Sequence, residues 1–254
     1  MRALRIISTC LLIFTLLLKV NVISNNVNLG TIQYLLNGSL LLFSFSVIVP
    51  IISLLKFKKM NAQKDVEYLK NILLEIDKEP VIDIFLTKSS LVKGAVVLYI
   101  KSKPTIIIHH SLIDTLNKEQ LKFVIAHEYC HVLNNHLIKN VLSLVLVLAG
   151  VPLLLLIVSP LLFKINVFWI TLSIILVIYI GLIILHFMFS QRREYIADQY
   201  ATNIVGNEIS LSTLKCLKDN YLVSEKSYNM FETHPSLKSR IEKVSKKNKK
   251  KSII

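Results

Sequence analysis

Four long apolar stretches limit what this chain can become: Ala3 to Val22, Leu35 to Leu55, Val141 to Phe163 and Val167 to Ser190. A helix needs about 20 apolar residues to cross the hydrocarbon layer of a bilayer, and each stretch supplies them. The third and fourth carry no Lys, Arg, Asp or Glu, and His186 is the residue of the fourth that titrates near neutral pH. The first begins like a signal peptide, with Arg2 and Arg5 ahead of a Leu/Ile-rich core. No small-x-small cleavage site follows it, so an uncleaved span is expected. Pro152 and Pro160 bend the third stretch and leave open either a full crossing or a shallow insertion.

The chain of 254 residues is 53% apolar and 18% charged. That is too apolar for an ordinary soluble domain and too charged for a chain lying wholly in lipid. The net charge of +14 comes from residues flanking the apolar stretches and from a tail of Lys246, Lys247, Lys249, Lys250 and Lys251. Membrane topology and attraction to anionic headgroups account for both, so the lipid bilayer is the expected partner and nucleic acid is not. Cys10, Cys130 and Cys216 are too few and too scattered for a disulfide framework and fit a reducing compartment.

Positive charge gathers before the first stretch (Arg2, Arg5), after the second (Lys56, Lys58, Lys59) and after the fourth (Arg192, Arg193). The opposite ends carry Lys19 and Lys164. Both termini and the segment from Lys56 to Asn140 are therefore expected on the cytoplasmic side of a multi-pass cell-membrane protein. The organisation expected is two N-terminal spans in 1–55, a catalytic part in 56–140, a membrane hairpin in 141–190 and a helical part with the basic tail in 191–254.

Within the polar segments, Val66, Leu69, Leu73 and Ile76 mark one face of a helix near Asn61 to Lys78. Val81 to Thr87, Ala95 to Lys101 and Thr105 to His110 predict strands. Asn117 with Gln120 three residues on predicts a capping box for the next helix, expected to run into the third span.

That helix carries His127-Glu128-Tyr129-Cys130-His131. Histidines at i and i+4 share a helix face, so His127 and His131 can reach one zinc. Glu128 lies where its carboxylate can act as general base on a zinc-activated water. A third ligand is available after the fourth stretch, in Arg193-Glu194-Tyr195-Ile196-Ala197-Asp198. Glu194 can ligate the metal, and Asp198, one turn on, can accept the N–H of a ligand histidine. An even number of crossings lies between the two segments, so both emerge on one side of the membrane.

His-Glu-x-x-His, two spans, and then Glu-x-x-x-Asp within REYIADQYA resemble the HtpX and CAAX prenyl protease superfamily of membrane zinc peptidases. Thr233-His234-Pro235-Ser236 followed by Arg240 matches a further element of that group. The resemblance implies that His234 stabilises the tetrahedral intermediate and that Arg240 supports the site. It also implies a mostly helical α+β fold, with about four transmembrane helices and a gluzincin-like catalytic domain holding one zinc per chain. One departure concerns Gly94-Ala95, where the family usually has Asn-Ala before the edge strand. The segment Thr105 to His110 is expected to serve as an edge to which an extended peptide substrate adds as a strand.

The expected function is thus hydrolysis of peptide bonds by a membrane zinc metalloendopeptidase. Two other readings stay open: a sensor-transducer peptidase that cuts itself or one regulator, and a non-enzymatic polytopic zinc-binding protein. His109, His110, Asn134, His136 and Cys130 are read as packing or helix support, and His186 as snorkelling to the interface.

Overall fold

The computed structural model describes residues 2–20, 29–64, 67–92, 94–100, 103–147, 168–220 and 234–251. The chain divides into two compact units, Met1–Ile51 with Ile138–His186, and Ile52–Leu137 with Phe187–Ile254. The expectations for the tip at 164–166, for Pro152 and Pro160 and for the loop around Asn25 fall outside the described residues.

In the first unit, α1 (Arg2–Lys19) pairs with α2 (Leu29–Lys59). Ser8 meets Ser46 at 3.4 Å, Thr15 meets Ser39 at 3.1 Å, and Lys19 donates to Gln33 at 3.0 Å. The partners descend as α1 ascends, so the two helices run antiparallel. Ser8 and Thr15 lie a heptad apart, as do Ser39 and Ser46, and all four are buried. Thr15, Ser39 and Ser46 also donate to carbonyls of their own helices, at Leu12, Leu36 and Phe43. Ile13, Phe14, Leu40, Ile48 and Ile51 face outward. Small hydroxyls inside and large apolar groups outside suit a helix pair whose solvent is lipid.

The helix α6 (His136–Val147) is apolar, and its Ser143 hydroxyl bonds His186 Nδ1 of α7 (Phe168–Val205) at 2.8 Å. His186 is therefore tied to a neighbouring helix. Among the described residues, α7 alone is long and apolar enough to cross a membrane. At 1.5 Å per residue it extends about 57 Å, well beyond a hydrocarbon layer of about 30 Å. The second unit begins at Phe187, and the sequence turns polar after Ser190.

The second unit is built on a sheet of order β1-β2-β4-β3: β1 Gln63–Lys64, β2 Asp83–Thr87, β3 Ala95–Ile100 and β4 Lys103–His109. The β2–β4 pair is parallel and the others antiparallel. As the central strand, β4 is buried on both faces. Ile106 and Ile108 join the main core, while Ile107 packs with Met60, Val92 and Leu98 on the other side. This corrects the expectation that Thr105 to His110 forms an edge. A continuous Ile run is the pattern of a strand covered on both faces, and the edge on this side is β3.

The main core joins Leu69, Ile72 and Leu73 of α3 (Glu67–Ile76) to Leu121, Phe123 and Ile125 of α5 (Lys118–Leu133). A short α4 (His110–Thr115) leads into α5. The capping box forms as predicted: Asn117 accepts from the Gln120 N–H at 2.9 Å, and Gln120 accepts from the Asn117 N–H at 3.1 Å. Tyr129 of α5 donates its hydroxyl to Asp77, which tethers the motif helix to the end of α3. The remaining helices, α8 (Asn207–Asp219) and α9 (Leu237–Lys251), add Leu214, Leu217, Leu237 and Val244 to the same core.

Contrary to expectation, α5 does not continue into the third apolar stretch. It stops at Leu133, Asn134 caps it, and Asn135 adopts φ 51 before α6 begins at His136. Asparagine tolerates this left-handed conformation, where most L residues pay about 1–2 kcal/mol. Asn135→Gly is accordingly expected to leave stability unchanged or slightly higher. Asn135→Val should lower it by about 1–2 kcal/mol. Denaturant midpoints of the purified protein in detergent check both.

Candidate metal centre

Three segments of the second unit converge. From α5 come His127, Glu128 and His131, from α7 come Glu194 and Asp198, from the bend before α9 comes His234, and from α9 comes Arg240. Each histidine of α5 is one turn from the other, which sets their Nε2 atoms 3.2 Å apart. Glu194 places Oε2 at 3.5 Å from His127 Nε2 and Oε1 at 3.4 Å from His131 Nε2. The side chains of His127 and Glu194 are each 8% exposed and that of His131 15%, so little water reaches the triangle.

The edges test whether a metal fits. A tetrahedral ion with ligands at 2.0–2.1 Å has ligand–ligand edges of about 3.3–3.4 Å; the two imidazole Nε2 atoms lie 3.2 Å apart, and Glu194 offers each of them a different carboxylate oxygen within 3.5 Å. His127 Nδ1 donates to Asp198 Oδ1 at 3.0 Å, which turns Nε2 toward Glu194. One cation could take a lone pair from each of the three residues, which form the group able to hold a metal that is found among the described residues. The donor set of two imidazoles and a carboxylate suits zinc.

Behind the triangle lies a second set of bonds. Asp198 is 2% exposed and binds Arg240 twice, through Nε at 2.8 Å and through Nη2 at 2.5 Å. Arg240 Nη2 also comes within 3.4 Å of His127 Nδ1. A nitrogen that donates to Asp198 cannot accept from Arg240 as well, and the shorter Asp198 contact decides its role. On the other histidine, His131 Nδ1 meets His136 Nδ1 at 2.8 Å. His136 is 3% exposed and sits there because the turn at Asn134–Asn135 folds the chain back. From the sequence, His136 is expected only to support the helix, on the turn after the motif. The Asn-Asn pair, a turn signal, is the feature that could have pointed to it.

Burial drives most of the electrostatics. It pushes the Glu128 carboxyl above its usual range. It also works to raise Asp198, but the Arg240 charge and hydrogen bonds outweigh it and hold Asp198 at about 2. Burial depresses His127, yet its bonds to Asp198 and Glu194 lift it to about 9. At His131 burial, reinforced by the His127 charge, holds the imidazole at about 3. Glu194 stays well below its usual value because His127 and His234 overcome its burial. His234 Nδ1 lies 3.1 Å from Glu194 Oε2, and this bond raises its pKa, although a side chain 71% exposed feels that pull screened by water.

A cavity of about 180 Å³ opens beside the triangle, lined by Gly94, Ala95, Glu128 and His234 among others. Gly94 has φ 137, a backbone that favours glycine, and its carbonyl accepts from the His109 N–H at 2.7 Å. The structure thus brings together all seven residues singled out for the site. His109 and His110 lie apart from it, the first capping α4 through Ser111 and the second bonded to Asp114 at 2.7 Å. Cys130 is fully buried and accepts from Asn134 Nδ2.

Residues 73–248 match the model of Peptidase family M48. Protease HtpX of Pseudoalteromonas atlantica is 27% identical over 171 residues, an alignment covering 58% of this chain and 58% of that protein. The crystal structure of Ste24p from S. mikatae is similar in fold, with a TM-score of 0.54 at 16% identity over 85% of this chain and 57% of that one. The chain thus spans somewhat over half the length of the relatives it matches. With the family match taking in α5, α7 and α9 and every residue of the centre, the chain belongs to Peptidase family M48.

Proposed function

We propose that the chain is a membrane-embedded zinc metalloendopeptidase of the gluzincin type. The observation that carries this reading is the convergence of His127, His131 and Glu194, which offer one ligand atom each within 4.8 Å of one another, a donor set that suits one zinc per chain. Zinc held there supplies a Lewis acid that lowers the pKa of water and polarises a carbonyl. The chain's own groups do the rest. Glu128 takes a proton from the attacking water and delivers it to the leaving amine. His234, on the same cavity, donates a hydrogen bond to the oxygen that becomes negative as the carbonyl is attacked, a contribution of about 3–4 kcal/mol in comparable sites. Arg240 fixes Asp198, and Asp198 fixes the His127 ring with Nδ1 protonated, so that Nε2 is always the free lone pair. His136 does the same for His131.

The substrate is a peptide in extended form. Both edges of β4 are used by β2 and β3, so strand addition falls to the free edge of β3, whose first residue, Ala95, borders the cavity. The four apolar stretches form four spans, α7 among them, with the organisation given by the sequence and the catalytic part on the cytoplasmic side. A structural zinc would need a fourth protein ligand, whereas the group found among the described residues numbers three, which favours catalysis over the non-enzymatic reading.

The roles separate by mutation. Glu128→Gln is expected to keep zinc and fold yet lose turnover by roughly 10²–10⁴-fold. Glu194→Gln should lose zinc as well, and Asp198→Asn should cost about 10–100-fold in zinc affinity or rate. Zinc content and cleavage of a peptide library, measured together, check all three. Wild-type turnover by Glu128→Gln would sink the protease reading.

His136→Ala is expected to weaken zinc affinity by about 10–100-fold, with His136→Gln restoring part of it through a side-chain carbonyl that accepts from His131 Nδ1. A competition titration with a chromophoric chelator reads this without any substrate. For orientation, cysteines introduced near Lys58 and Arg192 should be protected from an impermeant reagent in intact cells, and one near Asn25 should be labelled.

A further inference from the structure

Tyr195 follows Glu194 on α7, about 100° around the helix. Its hydroxyl bonds Ser239 Oγ of α9 at 2.6 Å, and Lys243 Nζ lies 3.6 Å from the centre of its ring. Ser239 and Lys243 are one turn apart, so Tyr195 lies against one face of α9. Arg240 reaches Asp198 from the adjoining face. One long side chain leaves a helix free to roll about it, and a second contact at Tyr195 fixes that roll. Ser239 is tied in the other direction too: its N–H donates to Ser236 Oγ at 3.3 Å, and the Arg240 N–H donates to the Ser236 carbonyl at 3.1 Å. Ser236 stands just before α9 and two residues after His234. The bonds therefore close a ring. Glu194 meets His234 at 3.1 Å, the chain passes through the buried Pro235 to Ser236, Ser236 holds Ser239, and Ser239 holds Tyr195, the neighbour of Glu194. The His234 side chain is 71% exposed, so packing does little to hold it and its backbone anchor matters more.

We propose that Tyr195 is a positioning residue for His234. By gripping Ser239 it fixes the roll of α9, and with it the place of the His234 imidazole on the cavity that Glu128 also lines. The proposal rests on the reading of His234 as donor to the oxygen that becomes negative. Such a donor works at about 2.7–3.1 Å from that oxygen, and a misplacement of about 1 Å costs on the order of 10²-fold in rate. His127, His131 and Glu194 are carried by α5 and α7 themselves. The Tyr195 hydroxyl therefore bears on turnover and not on metal affinity.

The test uses the full-length, zinc-loaded protein in detergent. Tyr195→Phe keeps the ring beneath Lys243 and removes the hydroxyl, and Ser239→Ala removes the other end of the same bond. Each is expected to lower kcat by about 10–100-fold with KM changed by less than about twofold, and the two together no further. Ser239→Thr, which keeps a hydroxyl, should retain most of the activity. Zinc affinity, read by chelator competition, should stay unchanged. The central comparison is made in His234→Ala, where adding Tyr195→Phe should lower kcat no further. An equal loss in that background, or a parallel fall in zinc affinity, would overturn the proposal and leave Tyr195 a packing contact. Hydrogen exchange supplies a readout that needs no substrate: Tyr195→Phe should speed exchange of the amides in 236–240 by about 2–10-fold. Unchanged exchange would overturn the proposal as well. If the zinc-loaded wild type cleaves no peptide, the protease reading fails, while the exchange rates still decide whether Tyr195 holds the segment beside His234.

Discussion

Asp198 is the point on which the centre depends. It is almost fully buried, and a carboxylate there is costly unless charge and hydrogen bonds compensate it. Arg240 and the His127 N–H supply both, and they come from different helices. One buried charge thus locks α5, α7 and α9 together and fixes which nitrogen of His127 faces Glu194. Removing Arg240 would leave the carboxylate uncompensated, with a cost of several kcal/mol by the general behaviour of broken buried pairs. The centre is therefore also a structural joint, and its stability and its chemistry draw on the same atoms.

The triangle in front of Asp198 is made by ordinary helix geometry. A turn of α5 separates His127 from His131, a turn of α7 separates Glu194 from Asp198, and so each helix presents one ligand pair or one ligand with its support. The sheet contributes less chemistry but sets the wall of the cavity. Its central strand is saturated on both sides, which leaves β3 as the exposed edge nearest Glu128.

Much of this was legible in the sequence because the signals were local. The helix spacing of His127 and His131, the capping box at Asn117 and Gln120, and the Ile-rich strand all follow rules that span a few residues. The core face of α3 was read at Leu69 and Leu73, though Ile72 also lies inside. Three features were not legible. The break at Asn135 depends on one backbone angle, and with it went the role of His136. The position of β4 within the sheet depends on long-range pairing, which a run of isoleucines suggests only as burial on both faces. The tie between His186 and Ser143 joins helices far apart in sequence, and no pattern within either helix announces it. Arg240 and His234 entered by resemblance, since a lone arginine and a histidine before proline carry no geometry of their own.

The continuity of α7 has a mechanical consequence. Glu194 stands one turn beyond Ser190 on an unbroken rod, while the histidines stand on a helix separated by the Asn135 turn from the apolar helix that follows. A rod that leans about its exit point moves a side chain roughly 6 Å farther along by about 0.2 Å for every 2° of lean. Metal sites tolerate about ±0.2 Å in ligand distance. Transmembrane helices respond to bilayer thickness by leaning through many degrees. On the proposed reading of α7 as a span, Glu194 would ride on the same rod as that span, and the Asp198–Arg240 clasp is the contact that would hold its ligand end in place.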